Sequence, residues 1–172
     1  MAPASGRTRP ASLVRLLATK LLDELAGKAL LSPRRRAHYN IHASPAELVQ
    51  RFVVVARADA YFRPHRHTGK SELAVLLRGH VDVLTFDEAG AVTARYVIGE
   101  DTGNLAYETR ERTWHTLLPG AAGCAFLEIK EGPYDAATAT EFAAWAPAEG
   151  EPTVPAYLAW LRTAQPGDRP SA

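Results

Sequence analysis

Between Arg51 and Lys130 the chain is cut into short apolar runs of period two: RFVVVAR, ELAVLLRG, VDVLTF, ARYVI, WHTLL and CAFLEIK. β-Branched and aromatic residues fill these runs, and turn-forming stretches such as Asp87-Glu88-Ala89-Gly90 and Pro119-Gly120 separate them. Alternation of this kind buries one face of a strand and frees the other. Six or more such strands in so short a span predict an antiparallel sandwich or barrel.

Helical spacing flanks the strands. Val14, Leu17, Leu21 and Leu25 recur three or four apart from Ser12 onward, which predicts a helix that Gly27 ends. SPRRRAHYNIHA reads as an irregular basic segment. Ser44-Pro45-Ala46-Glu47 carries the capping-box signature of a short helix or turn. Beyond Tyr134, ATEFAAWAP and VPAYLAWLRTA return to helical spacing, with Thr153 as a cap and with Trp145 and Trp160 packing as core. A chain of 172 residues supports one good core. The expected organisation is a flexible basic arm at 1–11, one domain over 12–164 and a flexible tail at 165–172. Within the domain, the strand-rich core spans about 48–134 and a helical cover 135–164.

Twenty basic residues against 19 acidic ones leave a net charge of +1, which gives no field that would select nucleic acid or an anionic membrane as partner. No apolar run reaches the ~18 residues needed to span a bilayer. The single cysteine, Cys124, excludes an internal disulfide and reads as a buried small hydrophobe. A reducing, cytoplasmic location is the expectation.

The stretch YFRPHRHTGKSELAVLLRG at 61–79 carries the most specific chemistry. In a strand, His65 and His67 project to one face and Arg66 to the other, so one strand offers two imidazoles to one ion. Thr68-Gly69-Lys70-Ser71 can turn the chain and bring Glu72 back at the head of the next strand. Alternatively, His65-Arg66-His67 is an exposed strand end and Glu72 an ordinary hairpin charge.

His65-x-His67-x4-Glu72-x6-Gly79 resembles the first motif of the cupin superfamily in ligand order and spacing, with Asp59 where that motif opens on glycine. His115, in TWHTLL, stands where the second motif supplies its histidine, although Arg110, Arg112 and Pro119 replace that motif's Pro, Gly and Asn. Further blocks over residues 12 to 160 resemble the WbuC-family cupin fold metalloproteins. They are Ser32-Pro33-Arg34-x-Arg36 with Asn40-x-His42, Arg63-Pro64-His65-Arg66-His67, Phe86-Asp87-x-x-Gly90, Lys130-Glu131-Gly132-Pro133-Tyr134 and Phe142-x-x-Trp145-Ala146-Pro147-x-Glu149-Gly150.

The resemblance implies a mainly β fold, an RmlC-like jelly-roll cupin β-barrel with an N-terminal helix and short C-terminal helices. It also implies one divalent metal held by His65, His67, Glu72 and His115, and bacterial relatives often met beside surface-polysaccharide genes. Three neutral nitrogens and a carboxylate suit Fe, Mn, Ni, Co or Zn better than Mg or Ca. An octahedral ion would keep two positions for water or substrate, whereas a closed four-coordinate zinc would keep none.

Two functions fit this expectation. One is an enzyme of the oxygenase or isomerase/epimerase type acting on a sugar or organic acid. The other is a binding or sensing module in which no bond breaks. A purely structural metal ranks last. Tyr61 and Arg63 share parity with His65 and are expected to face the cavity, unless Pro64 breaks the alternation. Arg63 either offers its fork to a carboxylate or phosphate, or pairs with a structural carboxylate. His42 and Asn40 line the mouth if the N-terminal segment folds over it, and Tyr134 either gates the entrance or packs. His38 and His80 read as solvated. The expected partners are a small-molecule ligand, anionic or a sugar, and at most a second copy of the chain as a homodimer.

Overall fold

Two long strands organise the computed structural model, which describes residues 13–170. The basic arm expected at 1–11 lies outside them. In chain order the elements are α1 (Thr19–Leu31), β1 (Arg36–Asn40), β2 (Val49–Ala56), β3 (His65–Arg66), β4 (Glu72–Phe86), β5 (Val92–Gly99), β6 (Ala106–Thr109), β7 (Trp114–Glu131), β8 (Glu141–Phe142) and α2 (Val154–Thr163). The runs ELAVLLRG and VDVLTF form one strand, β4, and WHTLL and CAFLEIK form another, β7, which passes through Pro119-Gly120 without a turn.

β4 and β7 pair antiparallel along nearly their whole lengths, with Glu72 opposite Lys130 and Phe86 opposite Trp114. The ladder slips at Leu76/Arg78 and again at Gly79/Val81, where both strands bend. Gly79 and Gly123 sit at that bend with φ of +78° and +79°, and a Cβ on Gly79 would lie 2.3 Å from the Gly123 carbonyl oxygen. Only glycine combines that backbone with so close an approach. The bend folds the sheet over itself. Glu72 and the residue opposite His115, Thr85, are separated by about 40 Å of extended strand, yet the Glu72 carboxylate lies 4.0 Å from His115 Nε2.

Folding over does not close the sheet, which corrects the expected jelly-roll β-barrel. The pairing path runs β1-β2-β7-β3-β8, with β4 joined to β7 and carrying β5 and β6 on its other flank. No pairing returns from one end of the path to the other. The result is a mixed α/β fold with an open eight-stranded sheet. β3 and β8 are two residues each, too short to carry a continuous ladder across the gap. Side chains span it instead: Arg36 donates to the Tyr61 carbonyl, and both Arg34 and Arg36 reach Glu149, at 2.6 and 2.5 Å.

The inner faces of the folded sheet enclose Val54, Phe62, Val81, Val83, Leu117 and Phe126. Residues of opposite parity pack outward. Val53, Val55 and Ala125 lie under α1 through Leu22 and Leu25, while Leu84, Phe86, Trp114 and Leu118 lie under α2 through Tyr157 and Leu161. Cys124 is buried in the inner core, and burial pushes its thiol up to about 12.

Four further expectations change. Helix α1 starts at Thr19 and runs through Gly27 to Leu31, because Leu25 and Ala29 remain on its buried face and Ser32 N–H closes the last turn on Lys28 and Ala29. Of the two predicted C-terminal helices, only α2 forms. ATEFAAWAP instead supplies β8, which pairs Glu141 with Arg66 and Phe142 with His65. The segment read as a flexible tail is pinned over 165–168, since Val92 N–H donates to the Asp168 carbonyl and Gly167 N–H to the Val92 carbonyl. The basic segment read as irregular contains β1, and Ser44–Glu47 forms a turn.

Candidate metal centre

The open sheet brings His65, His67 and His115 together, with one ligand atom from each within 4.8 Å of the others. His65 on β3 lies directly across from His115 on β7, and their ring centroids are 4.4 Å apart. His67 follows β3, with its ring 5.1 Å from His65 and 5.7 Å from His115. Glu72 opens β4 from the other half of the fold. Its Oε2 is 3.1 Å from His67 Nε2, and its Oε1 is 4.0 Å from His115 Nε2. Metal–nitrogen bonds run about 2.0–2.1 Å, so small side-chain movements suffice for one ion to reach all four.

Backbone carbonyls fix which ring nitrogen is free. His65 Nδ1 donates to the Arg63 carbonyl at 2.9 Å, and His115 Nδ1 donates to the Thr113 carbonyl at 2.9 Å, each two residues upstream. His67 Nδ1 donates to the Ala139 carbonyl at 2.7 Å. A carbonyl only accepts, so in the neutral rings each Nε2 carries a lone pair. The Nε2 atoms of His67 and His115 are buried without a hydrogen-bond partner. At His67, a lone pair therefore faces the Glu72 carboxylate at 3.1 Å, acceptor against acceptor. Such a pair is stable only with a cation between its members, either a proton or a metal ion. The cluster of three histidines and one glutamate thus fits a single divalent transition metal ion.

The electrostatics carry the same demand. Burial, with His115 beside it, drives His65 well below the ordinary imidazole range, and burial also lowers His115. Burial opposes charge on His67 too, but the Glu72 carboxylate outweighs it and raises that pKa. Burial likewise opposes charge on Glu72, yet His67, Lys130 and His115 together hold the carboxyl well below its usual range.

The cluster opens onto a cavity of about 480 Å3, lined by β1 and β2 on one side and by β3, β8 and the segment before α2 on the other. Arg63, His42, Asn40 and Tyr134 line it, as does His38. His42 Nδ1 lies 3.0 Å from Arg51 N and from Arg51 O, and its ring stands edge-on to Phe52 at 4.8 Å. Tyr134 is half-exposed at the rim. Tyr61 does not reach the cavity. Its hydroxyl donates to the Pro147 carbonyl at 2.9 Å, and its ring packs against Tyr157 in the outer core. Residues 57–64 form no strand, so alternation does not hold from Tyr61 to Arg63. His80 pairs with Asp101 on the surface, and Arg66 points outward to Glu141 and Glu88. Trp145 and Trp160 pack with the outer core.

Two cavity residues escaped the sequence reading. Lys130 Nζ lies 2.7 Å from Glu128 Oε1 and 3.5 Å from Glu72 Oε2. Burial and Glu72 raise the Glu128 pKa against the opposing pull of Lys130. Both residues share parity with Phe126 in CAFLEIK, and that inward-facing alternation was the available signal.

A family profile described as a domain of unknown function (DUF6016) matches residues 17–98, and no specific match to the WbuC family is found. No curated protein matches. Among solved structures, CapF with the inhibitor 3-isopropenyl-tropolone is similar with a TM-score of 0.53 and 15% identity, over 63% of this chain and 32% of CapF. The capsular polysaccharide assembling protein CapF from Staphylococcus aureus gives 0.51 and 15%, over 61% and 28%. A cupin 2 conserved barrel domain protein from Rhodopseudomonas palustris gives 0.49 and 15%, over 62% and 66%. The chain therefore spans about a third of the CapF chain it matches. At such identities the likeness speaks for architecture alone, and by that measure the chain shares the architecture of CapF over 61–63% of its length.

Proposed function

We propose that the chain binds one divalent transition metal through His65, His67, Glu72 and His115 and uses it to hold a small oxygen-bearing molecule, a sugar or organic acid, in the adjoining cavity. The observation that carries this reading is the pair of acceptors, His67 Nε2 and Glu72 Oε2, buried 3.1 Å apart with the His67 tautomer set by Ala139. A bound ion would act as a Lewis acid toward a ligand oxygen. The chain's own residues supply the rest. Phe52 and Phe62 offer apolar walls, and the half-buried Lys130–Glu128 ion pair places charge beside the ligand. The WbuC resemblance supports a link to bacterial surface polysaccharide. It rests on the sequence blocks, since the likeness to CapF carries the fold alone.

Elemental analysis of purified protein tests the reading. Wild type should carry close to one equivalent of a divalent transition metal, and His65→Ala, His67→Ala and His115→Ala should each lose most of it. Glu72→Ala should retain a larger share, because three imidazoles still hold the ion. A His115→Ala protein with full occupancy would remove His115 from the ligand set.

A further inference from the structure

The cavity wall carries the cationic side chains Arg34, Arg36, Arg63 and Lys130 against the carboxylates of Glu72, Glu128 and Glu149. Most of this charge is matched. Arg34 and Arg36 share Glu149, and Lys130 sits between Glu128 and Glu72. Arg63 is different. Among the described residues it makes no ion pair. Its Nη2 donates to the Ala143 carbonyl at 2.8 Å, its Nε is buried without a partner, and its guanidinium stands 5.5 Å from the Phe142 ring centroid.

Phe142 also borders the metal cluster, with its ring 6.2 Å from that of His65. The Arg63 carbonyl fixes the His65 tautomer, so the guanidinium and the nearest imidazole belong to one three-residue segment. Arg63 is half-buried, and a guanidinium with no carboxylate of its own is free to take an anion from the cavity. The planar fork, with one edge still undonated, matches a carboxylate.

We propose that Arg63 is the anion anchor of this cavity and that its ligand is a small hydroxy-carboxylate, with its carboxylate on the Arg63 guanidinium and its hydroxyl toward the histidine cluster. This deepens the function proposed above and rests on that reading only for the hydroxyl end. The volume of about 480 Å3 lies in the ordinary range for small-molecule sites.

The test is isothermal titration calorimetry of the full-length, metal-loaded protein. The probes are glycolate, 3-hydroxypropionate and 4-hydroxybutyrate, each compared with the diol of equal length, and inorganic phosphate. At least one acid should bind tenfold or more tightly than its diol. Arg63→Gln should erase that preference, and Arg63→Lys should keep only part of it. Metal content and melting temperature are measured on the same samples. If Arg63→Gln loses metal or unfolds, the Lys variant carries the decision, because it keeps the charge and loses the fork. An undiminished preference for the acid in both variants overturns the proposal. So does the absence of binding by all three acids, or phosphate binding tenfold tighter than every acid. A wild type without metal that still prefers the acid, and loses that preference in Arg63→Gln, upholds the anchor while the metal reading falls.

Discussion

Lys130 stands between two carboxylates, 2.7 Å from Glu128 and 3.5 Å from Glu72, with only a fifth of its side chain exposed. Removing the ammonium would leave the buried Glu72 and the half-buried Glu128 carboxylates without the positive charge between them. Lys130→Met should therefore cost about 3 kcal/mol, near the low end for breaking a buried ion pair. Adding Glu128→Gln should recover much of that loss, because the remaining carboxylate then faces no like charge. Urea unfolding of chelator-treated single and double variants gives the coupling, and additive losses would show that Lys130 does not serve this pair. Legibility at this scale followed local geometry. His65, His67 and Glu72 announced themselves through spacing, because a strand and a turn fix their relative positions. Glu128 and Lys130 were readable only by extending the parity of Phe126 past the apolar run. Tyr61 misled because parity has meaning only within a paired strand, and residues 57–64 are not one.

At the scale of elements, period two predicted the strands and said little about where they join or stop. β4 and β7 each absorbed two predicted strands, because a glycine bend lets one long strand serve both halves of the sheet. Gly27 was read as a helix end, but tertiary packing of Leu25 and Ala29 carries α1 four residues further. Nothing lies within 4 Å of a Cβ built on Gly27. Gly27→Ala should therefore stabilise the protein by roughly 0.5–1 kcal/mol, through the entropy that glycine loses in a helix interior. For a domain of this size that amounts to a melting temperature higher by about 1–4 °C. Thermal unfolding followed by circular dichroism measures it, and a lower melting temperature would mean that the helix does end at Gly27 in solution.

At the scale of the whole molecule, the hydrophobic pattern could not report whether the sheet closes, because closure depends on which edges meet rather than on which faces are buried. Here the gap lies between β1 and the segment leading to α2, and the cavity opens along it. The Arg34–Glu149–Arg36 cluster ties the two sides together, so its loss should loosen both the fold and the cavity mouth. Burial opposes charge on Glu149, but its bonds to Arg34 and Arg36 prevail and hold its pKa below the ordinary carboxylate range. A carboxylate with a depressed folded-state pKa contributes stability that is fully present above its unfolded value. That stability fades as pH falls through the depressed one. Glu149→Gln should therefore melt several degrees below wild type at neutral pH. The deficit should persist down to about pH 4.5 and then shrink as wild-type Glu149 itself takes up a proton. Melting curves of both proteins from pH 7 to pH 3 decide the matter. A deficit of constant size across that range would mean that the glutamate supports the gap through its shape and hydrogen bonds, and not through its charge.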